Sequence, residues 1–134
     1  MASPRLRTTT CTAVIRAGRL HKAQQFFDAA DTLDSLVDDE SELIEASITL
    51  CVHAGIAAAD VICCARLGQH AVGEDHSQAI ELLGSVDAKA AKWLRTLLGM
   101  KTKSGYTAIP SSTDDRKRAA RAAQQLVALA RDVT

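Results

Sequence analysis

Small apolar residues recur at intervals of three and four along most of this chain. Between residues 9 and 36, Ala13, Ala17, Leu20, Ala23, Phe27, Ala30 and Leu33 form one stripe with the period of a helix, which predicts a long amphipathic helix. Residues 38–42 then supply acids and a serine where the next helix begins. The partial positive charge of a helix N-terminus favours acids there. Residues 43–67 are apolar nearly all round, the pattern of a helix at the centre of a bundle. Gly68 is its expected stop.

Residues 68–76 read as a loop. A short helix follows from Ser77 to near Gly84, with Asp75 or Ser77 as its cap. Asp87 is positioned to cap a helix over residues 88–101. Its apolar face is Ala91, Leu94, Leu97 and Leu98, with Trp93 beside it. The stretch 101–106, KTKSGY, reads as a helix end, with Gly105 turning the chain in the left-handed region. Pro110 cannot continue a helix and biases Ile109 to an extended conformation. Residues 111–115, SSTDD, cap a last helix with the stripe Ala119, Ala123, Leu126, Val127 and Ala130. No strand alternation or internal repeat interrupts the pattern. The expected fold is all-α: an antiparallel, up-and-down bundle of four to five helices forming one domain over residues 1–134, with residues 1–8 disordered.

Composition agrees with helices. The hydrophobic fraction is 47% but aromatics are only 3%, so short aliphatic side chains must fill the core, which suits close helix packing better than a sandwich of strands. Formal net charge is zero, unlike dedicated nucleic-acid binders. The charge is unevenly spread: residues 27–60 hold nine Asp and Glu with no Lys or Arg, while residues 89–131 hold ten Lys and Arg against two acids. Either these segments are neighbours or the later one presents a basic contact surface, with Arg95, Lys101, Lys103, Arg116, Arg118 and Arg121 as its contacts.

The four cysteines, Cys11, Cys51, Cys63 and Cys64, lack the spacing of a disulfide framework. No secretory leader is visible in the first residues, and the apolar run 52–65 is short for a membrane span. The expectation is a reduced, cytoplasmic protein that binds no membrane.

Residues 46–86 resemble the HEPN families (higher eukaryotes and prokaryotes nucleotide-binding domain). The matching pieces are VHAGIAAADVI at 52–62, Gly68, and HSQAIELL at 76–83. LLGMKTKSGY at 97–106 and AAQQLVALA at 122–130 stand in the later family positions. The resemblance implies a four- or five-helix bundle, commonly a homodimer. Some members are metal-independent RNases, often toxins; others pair with a minimal nucleotidyltransferase, and others bind RNA or a protein partner without catalysis. The RNase members carry an Arg followed four to six residues later by a His. Here Lys101 and Tyr106 stand in those places. Lys lacks the planar fork of Arg, and Tyr titrates near 10, so the RNase pair is absent.

Three further constellations stand in the residues themselves. Arg66 precedes His70 and His76 at the end of a different helix, and its bland role is to complement that helix's C-terminus. Cys63, Cys64, His70 and His76 make a poor zinc set, because adjacent cysteines point about 100° apart on a helix; core thiols are the preferred reading. His53 and Asp60 lie seven residues apart on one face of the central helix. A carboxylate there is costly to bury alone, so Asp60 is expected to pair with a late-helix cation or to line a pocket with His53. The sequence points to no cofactor and no metal. The first expectation is a non-catalytic HEPN-like module that binds a protein or nucleic acid, within a toxin–antitoxin or nucleotidyltransferase-associated system. The alternatives are a divergent RNase using Lys101, Tyr106 or Arg66, and a purely structural bundle.

Overall fold

A computed structural model describes residues 7–39, 41–73 and 76–134; the side chains of residues 102 and 104–106 fall outside that description. Five helices carry the fold: α1 (Ala13–Leu36), α2 (Ile44–Leu67), α3 (His76–Gly84), α4 (Ala88–Tyr106) and α5 (Thr113–Asp132). Two three-residue strands, β1 (Thr8–Thr10) and β2 (Gln69–Ala71), pair antiparallel with Thr9 opposite His70. The protein is an all-α bundle with a minimal ribbon at one end.

Short-range chemistry places the helix starts. Thr12, Asp87 and Ser112 each accept a backbone N–H three residues on, which satisfies a donor the helix itself leaves unpaired. At Ser112 the exchange is reciprocal: Asp115 accepts from the Ser112 N–H, forming a capping box. That backbone bond, followed by the Lys103 ammonium, holds the Asp115 carboxyl below its ordinary pKa. Gly68 ends α2 at φ +71°, a left-handed conformation that costs glycine little.

The helices run up and down in sequence, with α3 folded as a short hairpin against the start of α4. Helix α2 packs against every other helix, as its all-round apolar sequence predicts. Ile48, Val52 and Val61 of α2 meet Leu83, Leu94, Leu97, Leu126 and Val127 in one contiguous core. By length and composition α2 could cross a membrane, but two-thirds of its most apolar window is buried inside the bundle. A Cβ at Gly55 of α2 would collide with Leu97 Cδ1 of α4 and touch Leu126 Cδ1 of α5, so the absent side chain leaves the space that these two leucines fill.

Four expectations are corrected. The first helix starts at Ala13, not Thr9, because residues 8–10 pair with 69–71. The lead of residues 1–8 is likewise shorter than expected: Thr8 is in β1, and the Arg7 N–H donates to Gln78 Oε1 at 2.9 Å; residues 1–6 lie outside the described residues. Helix α4 runs five residues past Lys101 and ends at Thr107, which is extended at φ −113°, ψ 159°. Gly105 therefore continues the helix, where it costs only about 1 kcal/mol against Ala, and does not turn the chain. Finally, Cys11 and Cys64 form a disulfide, with Cα atoms 5.8 Å apart. Sequence spacing gives no hint of it; the ribbon carries Cys11 back to the end of α2, where its N–H donates to the Gly68 carbonyl at 3.0 Å.

Candidate functional site

Side chains able to do chemistry converge in two places, and neither is the pair expected from the sequence. The first is a cavity of about 250 Å³ between α1, α2, β2 and α3, lined by Arg19, Ile56, Asp60, His70, His76 and Ala79 and by the loop at 71–73. Helical spacing puts Ile56 and Asp60 on the open side of α2. The strand β2 folds His70 down onto Asp60, and the first turn of α3 brings in His76.

Within this cavity the Asp60 side chain is only 13% exposed. Arg19 Nε lies 3.5 Å from one of its oxygens and His70 Nδ1 3.8 Å from the other. Neither contact is a hydrogen bond; His70 Nδ1 instead donates to the Ala71 carbonyl at 2.9 Å. Burial raises the Asp60 pKa to about 6, opposed by the nearby charges of His70 and Arg19. His76 Nε2 accepts from Lys101 Nζ at 2.7 Å, so the cavity wall continues onto α4.

The expected His53–Asp60 pair does not form. Each residue of a helix advances about 1.5 Å, so seven residues separate them by roughly 10 Å along the axis. His53 is exposed and stacks on Phe26 of α1, with ring centroids 5.2 Å apart. Asp60 takes its cation from the first helix, not from a late one. Arg66 is exposed in the last turn of α2 and does not line the cavity with His70 and His76. The zinc set does not assemble, since Cys64 is bonded to Cys11. Burial pushes the Cys63 and Cys51 thiols up to about 12.

The second place is the outer face of α4. Lys89, Lys92 and Arg95 are exposed, and their side chains make no ion pair or hydrogen bond among the described residues. They rim two apolar troughs, each of about 560–570 Å³, that share Ala88 and Lys92. Ile80, Gly84 and Ala91 floor one, beside the single acid Glu81, and Trp93 with Thr96 walls the other.

The remaining basic candidates are differently placed. Arg116 is held by Asp34 at 3.2 Å. Lys103 and Arg118 reach Asp115 at 3.0 and 3.9 Å, and Lys101 is bonded to His76. Only Arg95 and Arg121, of the six contacts expected, are exposed without an intrachain partner among the described residues. Arg121 sits in a separate cleft with Phe27 and Gln124. The Tyr106 side chain falls outside the described residues. No family model and no curated protein matches this sequence.

Proposed function

We propose that this chain is a non-catalytic, HEPN-like helical module that binds an acidic, amphipathic helix of a protein partner along α4. One observation carries the reading: Lys89, Lys92 and Arg95 stand at three-residue spacing along α4, their side chains without a partner among the described residues, and rim two adjoining apolar troughs. An apolar helix face fits such a trough, and carboxylates on its flanks meet the three cations. Nucleic acid is served less well, because half of the basic residues expected to contact it are committed to Asp34 and Asp115. The partner can be a nucleotidyltransferase-type protein or a second copy of this chain. A cytoplasmic site of action belongs to this proposal, although a disulfide favours an oxidising compartment.

Trp93 is the only tryptophan and walls one of the two troughs, so its emission reports occupancy there. A synthetic acidic amphipathic helix is expected to shift that emission, and the Lys92→Glu/Arg95→Glu protein is expected to bind it at least tenfold more weakly, about 1.4 kcal/mol. Equal binding by the charge-reversed protein defeats the proposal. Tighter binding of single-stranded RNA, with an affinity that falls steeply with salt, replaces it with a nucleic-acid role.

A second reading rests on the Lys101–His76 contact. It sets the His76 imidazole of α3 beside Lys101, the α4 residue that stands in the Arg place of the resembled RNase pair. An imidazole can move protons to and from a ribose hydroxyl while an ammonium stabilises the phosphorane. Under that reading, RNA is cleaved without metal and the His76→Ala protein loses at least a hundredfold in rate, in keeping with ~10²–10⁴ for acid–base groups. RNA left intact by the wild-type protein removes the RNase alternative.

A further inference from the structure

The α4 face leaves the cavity around Asp60 unexplained. Asp60 is a carboxylate mostly withdrawn from water that accepts no hydrogen bond among the described residues. Its two ion pairs are long, at 3.5 and 3.8 Å. Buried polar groups are almost always hydrogen-bonded, and a charged one without a donor is costly. Asp60 is not among the fully enclosed unsatisfied atoms; its oxygens open onto the cavity it lines.

His70 adds a second acceptor. It is 6% exposed, and its Nδ1–H is fixed on the Ala71 carbonyl. In the neutral ring this leaves Nε2 as an acceptor, and that nitrogen has no hydrogen bond among the described residues. With the His70 ring neutral, Arg19 is the only cation within 4 Å of Asp60 among the described residues, and its side chain is 38% exposed. Of the remaining lining side chains, Ile56, Val72 and Ala79 are apolar, and His76 is engaged through Nε2 by the Lys101 ammonium. At about 250 Å³ the space lies below the ~300–1,000 Å³ of drug-sized sites, so its occupant is small.

We propose that this cavity binds a small cationic amine or guanidinium compound, whose N–H groups donate to the Asp60 carboxylate and to Nε2 of His70. An ammonium or guanidinium supplies the donors that Asp60 lacks, in a charge-assisted bond stronger than the loose pair with Arg19. Binding has a protonic signature. Asp60 is surrounded by Arg19 of α1, Cys63 of its own helix, His70 of β2 and His76 of α3, the last tied to Lys101 of α4. Because Asp60 holds its proton up to about pH 6, the cation must displace it at lower pH. Affinity therefore rises with pH and levels off above neutrality.

Agmatine and putrescine serve as probes, with acetate and inorganic phosphate as the anionic comparison. Titrations followed by amide resonances of His70, Ala71 and Gly73 are expected to show saturable shifts with the two amines alone. The dissociation constant at pH 5 is expected to be about tenfold that at pH 7.5, the ratio set by a group titrating near 6. Asp60→Asn is expected to weaken binding at least tenfold with its amide spectrum otherwise retained. Arg19→Met is expected to tighten it, since a competing cation is removed. Shifts from anions in place of amines, amine binding unchanged by Asp60→Asn, weaker binding by Arg19→Met, or no saturable shift at ~10 mM amine would each overturn the proposal. Failure of the synthetic acidic helix to bind along α4 leaves this site untouched, because the two surfaces share no residue.

Discussion

Replacing Cys11 by serine is expected to lower the melting temperature by about 14 °C. The disulfide joins residues 53 apart in sequence, and closing a loop of that length in the unfolded chain is worth roughly 4 kcal/mol at 25 °C in the chain-entropy description. A chain of 134 residues unfolds with an entropy of about 0.28 kcal/mol/K near 60 °C, and the quotient gives the shift. Three controls separate the cross-link from incidental packing. Cys64→Ser should match Cys11→Ser, and the double variant should match either single one, because one bond is lost in all three. A reducing agent should produce the same drop in the wild-type protein and none in the variants. Cys51 and Cys63 should not substitute for the lost partner, since buried thiols held near 12 provide little thiolate at neutral pH. Calorimetry that shows no change on reducing the wild-type protein would contradict the stabilising role.

Asp34→Ala is expected to cost about 3 kcal/mol, the lower part of the range for breaking a buried ion pair from one side. Asp34 Oδ2 accepts from Arg116 Nη1 at 3.2 Å, and its Oδ1 accepts from Ser47 Oγ at 2.9 Å. Ser47 is fully buried, and the Arg116 side chain is 13% exposed. Truncating Asp34 thus strands a hydroxyl and a guanidinium whose Nε already lacks a partner. Asp34 is itself 24% exposed, so water reaches part of the site and holds the cost below the top of the range. The companion measurement is a double-mutant cycle. Asp34→Leu with Arg116→Met removes both charges at similar volume and should recover most of the loss. Denaturant titration giving additive losses for the two single changes would show that the pair does not couple α1 to α5.

The bundle was legible because its signals are local. The apolar residues of α2 need no partner to mark it as central, and the Ala119–Ala130 stripe of α5 is buried as its spacing predicts. Asp87 and Ser112 cap the helices they precede, since a cap bonds within three residues of itself. Period is a weaker guide to what covers a stripe: Ala13 and Ala17 continue the α1 pattern yet remain exposed. The site was far less legible. Asp60 was singled out from its cost of burial, and that reasoning holds, but its neighbours come from sequence distances of 41 and 10 residues, as the pairs with Arg19 and His70 show. His76 beside Lys101, 25 residues away, and Cys11 beside Cys64 were equally invisible. The uneven charge was readable as a pattern. Its consequence was not, because whether a cation faces water or a carboxylate depends on which helix lies opposite.

By itself the sequence determined that helices carry the fold, the caps at Asp87, Ser112 and Gly68, and the central place of α2, since these rest on periodicity and on hydrogen bonds spanning three or four residues. It did not show that α2 is preceded by Leu43 in the left-handed region with no side-chain cap. Only the tertiary structure decided which charges meet. The short ribbon that returns residues 8–11 to the end of α2 sets the disulfide. The hairpin of α3 onto α4 sets the His76–Lys101 pair and the wall of the Asp60 cavity. Ion pairs and cross-links act over a few ångströms whatever the chain separation, so their partners exist only after the helices have packed.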